Sequence, residues 1–136
     1  MAFVLLSTLA ACARVPDAKA IRSTIQAMAA AAEARRTGEV LDHVAADFTG
    51  NGGEFDRSAL ERLLRARVLA AQSLGVSIGD VEVELDGSRA IARFDVTLTD
   101  GSGRWLPDRR AVLRMTTGWR REGRGWLCYN ANWAQR

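Results

Sequence analysis

Val81-Glu82-Val83-Glu84-Leu85-Asp86-Gly87-Ser88-Arg89-Ala90-Ile91-Ala92 decides the fold of this chain. Apolar and acidic residues alternate up to Asp86. After the break, Ala90, Ala92, Phe94, Val96 and Leu98 recur at every second position. A period of two marks strands with one buried face. Asp86-Gly87 is a favoured hairpin turn, because such positions take positive φ. With that turn Val83 faces Ala90 and Val81 faces Ala92, while Glu84 meets Arg89 and Asp80 meets Arg93. Opposite charges directly across the strands support the register that the apolar face requires.

Downstream, residues 111–122 and 126–133 form a second hairpin around Gly123-Arg124-Gly125. A two-residue loop sets Trp119 opposite Cys128 and Met115 opposite Asn132, which mixes the faces. A three-residue loop, with Gly125 in the left-handed position of a bulge, sets Trp119 opposite Tyr129 and Met115 opposite Trp133. It also turns Cys128, Asn130 and Asn132 to the other face. A one-residue slip flips every side chain, so the clean segregation selects the three-residue loop.

Upstream the period is helical. Asp17 is a candidate N-cap for a helix over 18–36, with Ile21, Ile25, Met28, Ala29 and Ala32 on one face and Gly38 as its stop. A short helix over 39–46 buries Val40, Leu41 and Val44. Gly50 to Gly53 break the pattern, with brief strands around them. Asp56 or Ser58 then caps a third helix reaching about Ser73, with Leu60, Leu63, Leu64 and Leu69 inward and Arg62 and Arg65 on a solvated face.

Helices followed by long antiparallel strands give an α+β order. The sheet has one apolar face, and only the helices can cover it, so a curved antiparallel sheet wraps around the N-terminal helices. This order resembles the nuclear transport factor 2 family, the cone-shaped α+β barrel shared by SnoaL-like and ketosteroid isomerase-like proteins. Asp47-Phe48 after a short helix, Asp56-Arg57 opening the next, and Gly118-Trp119-Arg120-Arg121-Glu122 leading to Trp126 and Trp133 carry the resemblance. It spans about 18–133 and implies the fold far more than an activity, because the fold hosts many functions.

The 136 residues suffice for one domain and one core. Net charge is +3 and Lys19 is the only lysine. Abundant arginine and alanine read as the bias of a GC-rich genome. The arginines are interleaved with Asp and Glu and form no basic stripe, so a nucleic-acid partner is not expected. His43 is the sole histidine and has no second ligand at helical spacing, so neither a metal nor a cofactor is expected.

Leu9-Ala10-Ala11-Cys12 closes an apolar run from Met1 that is too short to span a bilayer. The stretch resembles the lipobox of bacterial lipoprotein signal peptides. That resemblance implies removal of residues 1–11, a lipidated Cys12, a tether over 12–17 and a domain over 18–136. It also implies membrane attachment in the bacterial cell envelope, and Ala13 after the cysteine implies outer-membrane sorting, facing the periplasm. No Lys or Arg precedes the run, which leaves two alternatives: a start upstream, or an apolar terminus with a chance cysteine. A lipidated Cys12 leaves Cys128 without a disulfide partner.

Candidate sites follow from the cone. Phe48, Trp105, Met115, Trp119, Tyr129 and Trp133 either line a pocket for a small apolar ligand or fill the core. Enzymes of this shape resemble one another in placing acid/base residues inside the cone, and no complete set maps onto this chain. Tyr129, Asp47 and His43 are the candidates for such a role. Each has a plainer reading: Tyr129 as core against Trp119, Asp47 as a cap or turn residue, His43 as a surface partner of Asp42 or Asp47. Asp95 reads as a solvated carboxylate, and Cys128 as a reactive thiol, a dimer contact or an inert half-buried residue. The expected function is a non-catalytic, lipid-anchored binding or scaffolding domain. The alternatives are a small isomerase or dehydratase, and a homodimerising module that pairs through the polar sheet face of Arg93, Arg114 and Arg120.

Overall fold

The computed structural model describes residues 16–70, 73–100 and 109–136; the lipobox, Cys12 and Trp105 lie outside them. In chain order the elements are α1 (Asp17–Glu33), α2 (Thr37–Leu41), β1 (Val44–Gly50), a 3₁₀ turn (Asn51–Gly53), β2 (Phe55–Asp56), α3 (Arg57–Ala70), β3 (Leu74–Ile78), β4 (Glu82–Asp86), β5 (Arg89–Asp100), β6 (Arg109–Glu122) and β7 (Gly125–Gln135). The strands form one open, seven-stranded sheet in the order β2-β1-β7-β6-β5-β3, with β4 beside the first half of β5. All neighbours are antiparallel except β1 and β7, which run parallel. The curved α+β architecture is the one expected.

α1 covers the concave face. Ile21, Ile25 and Ala29 recur four residues apart and are buried, as an apolar stripe requires. Ile21 and Ile25 share a core with Phe48, Ala90, Ala92, Phe94, Trp119 and Trp126. α1 also blocks the free edge of the sheet. The Glu33 Oε1 accepts the Val76 N–H (2.7 Å), and Arg22 Nε donates to the Val81 carbonyl (3.1 Å). An unpaired strand edge would otherwise invite another strand.

The helix ends differ from expectation. Pro16, not Asp17, is the N-cap, and no side chain caps it. Asp17 instead takes Arg121 as an ion-pair partner and accepts the Trp126 Nε1–H (3.3 Å), tying α1 to β6 and β7. At the other end Arg35 takes φ 62°. Its N–H reaches the Ala32 carbonyl (3.1 Å) and the Arg36 N–H reaches Ala31 (2.8 Å), a Schellman closure. Gly38 is therefore not the stop but part of α2. Val44 to Ala46, read as helix, are strand, because β1 pairs with β7 and the Cys128 N–H donates to the His43 carbonyl (2.9 Å). Asp56 does cap α3, its Oδ1 accepting the Ala59 N–H (2.7 Å). That helix stops at Ala70 and buries Val68; Leu69, expected inward, is 82% exposed.

Both hairpins refine their predicted registers. The first turns at Gly87-Ser88, with Gly87 at φ 59°, as a glycine at the first position of a type II′ turn allows. Val83 therefore faces Ala92, and Glu82 rather than Asp80 faces Arg93. Each partner moves by two residues, so every side chain keeps its predicted face. The second hairpin has a two-residue loop at Gly123-Arg124, which sets Trp119 opposite Cys128. The register then shifts between Gly118 and Trp119, and beyond the shift Gly118 faces Asn130 and Met115 faces Trp133. The two loop readings thus each hold for one half of the hairpin. The bulge sits inside β7, where Tyr129 is the extra residue, and not at the turn.

Candidate functional site

Among the described residues the interior of the cone is closely packed. Trp119 and Ile21 are the largest fully buried side chains, and Phe48 is 2% exposed, so little of their surface is left for a ligand. Thr117, a buried polar residue among them, is satisfied: its hydroxyl donates to the Ala92 carbonyl (2.9 Å) and accepts the Trp119 indole N–H (2.8 Å). Met115 and Trp133 pack against this core from partly exposed positions, and Trp133 meets the Phe55 ring at 5.2 Å between centroids. The candidate pocket residues therefore divide. Phe48 and Trp119 are core, Met115 and Trp133 border it, and Tyr129 stands on the opposite face of the sheet.

Cys128 was expected on the polar face, but the two-residue loop turns it into the core. Its thiol donates to the Asn130 carbonyl (3.3 Å), and burial pushes its pKa up to about 12. A thiol held protonated in this way is inert as a nucleophile at neutral pH.

The acid/base candidates do not meet inside the cone. Among the described residues no hydrogen bond joins any two of His43, Asp47 and Tyr129. His43 occupies the turn before β1. Asp47 lies on the exposed side of β1, where Arg120 grips both carboxylate oxygens (Nη1 to Oδ2 2.9 Å, Nη2 to Oδ1 2.7 Å). This pairing holds the Asp47 carboxyl below its ordinary range and raises the Arg120 guanidinium, which also donates to Glu122 (2.8 Å). A carboxylate so held is a poor proton acceptor.

The outer face of the sheet is organised around Tyr129. Its ring lies against Gly118, where an added Cβ would come within 3.1 Å of the ring. Arg89 and Arg120 flank it, with guanidinium carbons 4.9 and 5.9 Å from the ring centroid, within cation–π range. Around this stack the charges are paired within the face. Arg93 donates to Glu84 (3.3 Å), Arg114 to Asp95 (3.2 Å), and Arg136 also binds Asp95. Asn130 bridges to Thr49 (3.1 Å to its carbonyl) and accepts from Asn132 (3.3 Å). A glycine in the middle of a long strand was the available sign of this close approach. A cleft of about 330 Å³ lies elsewhere, lined by Glu33, Gly75, Val76, Ser77, Thr97, Thr99 and Arg110, at the β3 side of the sheet.

No family profile matches the sequence, and no curated protein is similar to it at a significant level. Solved structures do match. A proposed scytalone dehydratase from Novosphingobium aromaticivorans superposes with a TM-score of 0.77 at 12% identity, covering 87% of this chain and 83% of that one. A proposed dehydratase of the nuclear transport factor 2-like family from Streptomyces avermitilis gives 0.75 at 14% identity, covering 88% and 97%. A nuclear transport factor 2-like protein of unknown function from Pseudomonas putida gives 0.73 at 19% identity, covering 86% and 84%. With the helices, the open curved sheet and these superpositions together, the chain has the nuclear transport factor 2-like fold.

Proposed function

We propose that this chain is a non-catalytic scaffolding domain of the bacterial cell envelope, tethered through a lipidated Cys12, that works through the outer face of its sheet. The packed cone supports this reading: among the described residues Trp119, Phe48 and Ile21 are almost wholly buried inside it, and Asp47 and Tyr129 lie outside. The partner that fits the outer face best is a second copy. Its charges are balanced within the face, so two copies meet without like-charge repulsion, and Ile91, 37% exposed, adds an apolar point beside the Tyr129 stack. Sedimentation of the full chain carrying Cys12→Ser should show a concentration-dependent dimer, which Ile91→Glu weakens at least tenfold. A strict monomer at all concentrations would remove this partner. The anchor has its own test: a fatty-acid analogue should label the wild type and spare Cys12→Ser.

One observation favours an enzyme as the second reading. Asp100 ends β5 on the inward-facing register, and its buried Oδ1 has no hydrogen-bond partner among the described residues. A buried carboxylate oxygen left unpaired costs stability, and such strain is retained where chemistry uses it. Asp100→Asn should then raise the melting temperature by a few degrees. A fall would mark Asp100 as structural.

A further inference from the structure

The outer sheet face balances its charges, whereas α3 does not. It carries four arginines, Arg57, Arg62, Arg65 and Arg67, against Glu61 alone. That surplus equals the +3 of the whole chain, so all remaining charges cancel. Not every arginine is available. Arg57 turns inward and donates to the Leu41 carbonyl (3.1 Å), and Arg65 pairs with Glu61 at 2.6 Å while keeping 64% of its side chain exposed. Arg62 and Arg67 are exposed and have no ion pair among the described residues.

Helical geometry gathers Arg62, Arg65 and Leu69 into one arc and leaves Arg67 on another side of the helix. Leu69 follows Arg62 by seven positions and Arg65 by four, so the three share a face, turned away from the Leu60 and Leu64 side that packs against the core. Leu69 is 82% exposed, a large aliphatic side chain standing between guanidiniums, and Ala66 and Ala70 leave the arc otherwise low. Arginine around an exposed leucine matches the boundary between anionic headgroups and acyl chains, with the cations on phosphates and the leucine just below them. The face has no aromatic side chain on which a base could stack, which disfavours single-stranded nucleic acid.

We infer that the Arg62–Arg65–Leu69 face of α3 docks on a membrane surface rich in anionic phospholipid. The inference does not depend on lipidation of Cys12, so the full chain carrying Cys12→Ser serves as the test protein. Loss of fatty-acid labelling and loss of vesicle binding then report on separate proposals. Co-sedimentation should show at least about tenfold stronger partition into phosphatidylcholine vesicles containing phosphatidylglycerol than into pure phosphatidylcholine, because the negative surface potential draws the arginines. Arg62→Gln with Arg65→Gln should abolish that preference, Leu69→Ser should lower partition severalfold, and Arg62→Lys should keep it, as should Arg67→Gln on the other side of the helix. Raising the salt should weaken the wild type and Arg62→Lys but leave the double glutamine variant unchanged. Equal partition into both vesicles would overturn the inference. So would a preference that survives Arg62→Gln with Arg65→Gln, or tighter binding to a single-stranded oligonucleotide than to either vesicle. Circular dichroism of each variant shows that the fold is intact.

Discussion

The outer sheet face and the exposed face of α3 are both rich in arginine, yet they are opposite in kind. On the sheet, strand register sets a carboxylate within reach of each central guanidinium: Asp47 for Arg120, Glu84 for Arg93, Asp95 for Arg114. On α3 the helical neighbours three and four residues away supply a single acid, Glu61, which Arg65 takes. The same residue type is thus internally matched in one place and left over in the other. Arginine content says little here; the geometry that presents the arginines decides which partner each surface suits.

The two surfaces also rest on unequal foundations. The sheet face overlies Trp119, fully buried and hydrogen-bonded to Thr117, whereas α3 is held by buried Val68 and the partly buried Leu60 and Leu64. Trp119→Ala should cost about 3–5 kcal/mol and shift the whole urea transition. Val68→Ala should cost about 1–2 kcal/mol. Equal losses would show that the helix and the sheet share their support more evenly than the burial suggests.

The alternation at 81–98 made the sheet legible, because a buried face forces a period of two. The faces of the first hairpin survived although its turn slid by one position, since a slide of two in pairing leaves parity unchanged. Parity failed at Cys128 for a physical reason. A bulge inside β7 changes register in mid-strand, and a single loop length cannot describe both halves. Arg35 in the left-handed region carries no sequence signal comparable to a glycine, so Gly38 drew the helix boundary instead. Hydrophobicity points Leu69 inward, but neighbouring Val68 takes the buried place. Of the site, the chemistry of Asp47, Tyr129 and Arg120 was visible in the chain, but their meeting on the outer face depends on that bulge.

Gly118 tests how tightly that meeting is built. Gly118→Ala would place a methyl 3.1 Å from the Tyr129 ring and displace it from between Arg89 and Arg120. The expected cost is about 1 kcal/mol. It should largely vanish when the substitution is made in a Tyr129→Ser background, and a double-mutant cycle reads that coupling. No matching sensitivity is expected at Ala66 on α3, where an exposed position meets no such ring.

The smallest expected effect separates the two surfaces by titration. Arg120, chiefly through its hydrogen bonds, lowers the Asp47 carboxyl from its ordinary 3.8. A depressed native pKa gives stability that is present above the unfolded value and is lost as pH falls through the native one. The window therefore lies below about pH 4. Arg120→Gln should return the Asp47 carboxyl to the usual carboxylate range in an NMR titration and move acid unfolding slightly to higher pH. Arg62→Gln should move no carboxylate, because Arg62 has no ion pair among the described residues. A matching response to both substitutions would mean that Asp47 senses the general field of the arginines, and the division into a matched sheet face and an unmatched helix face would not stand.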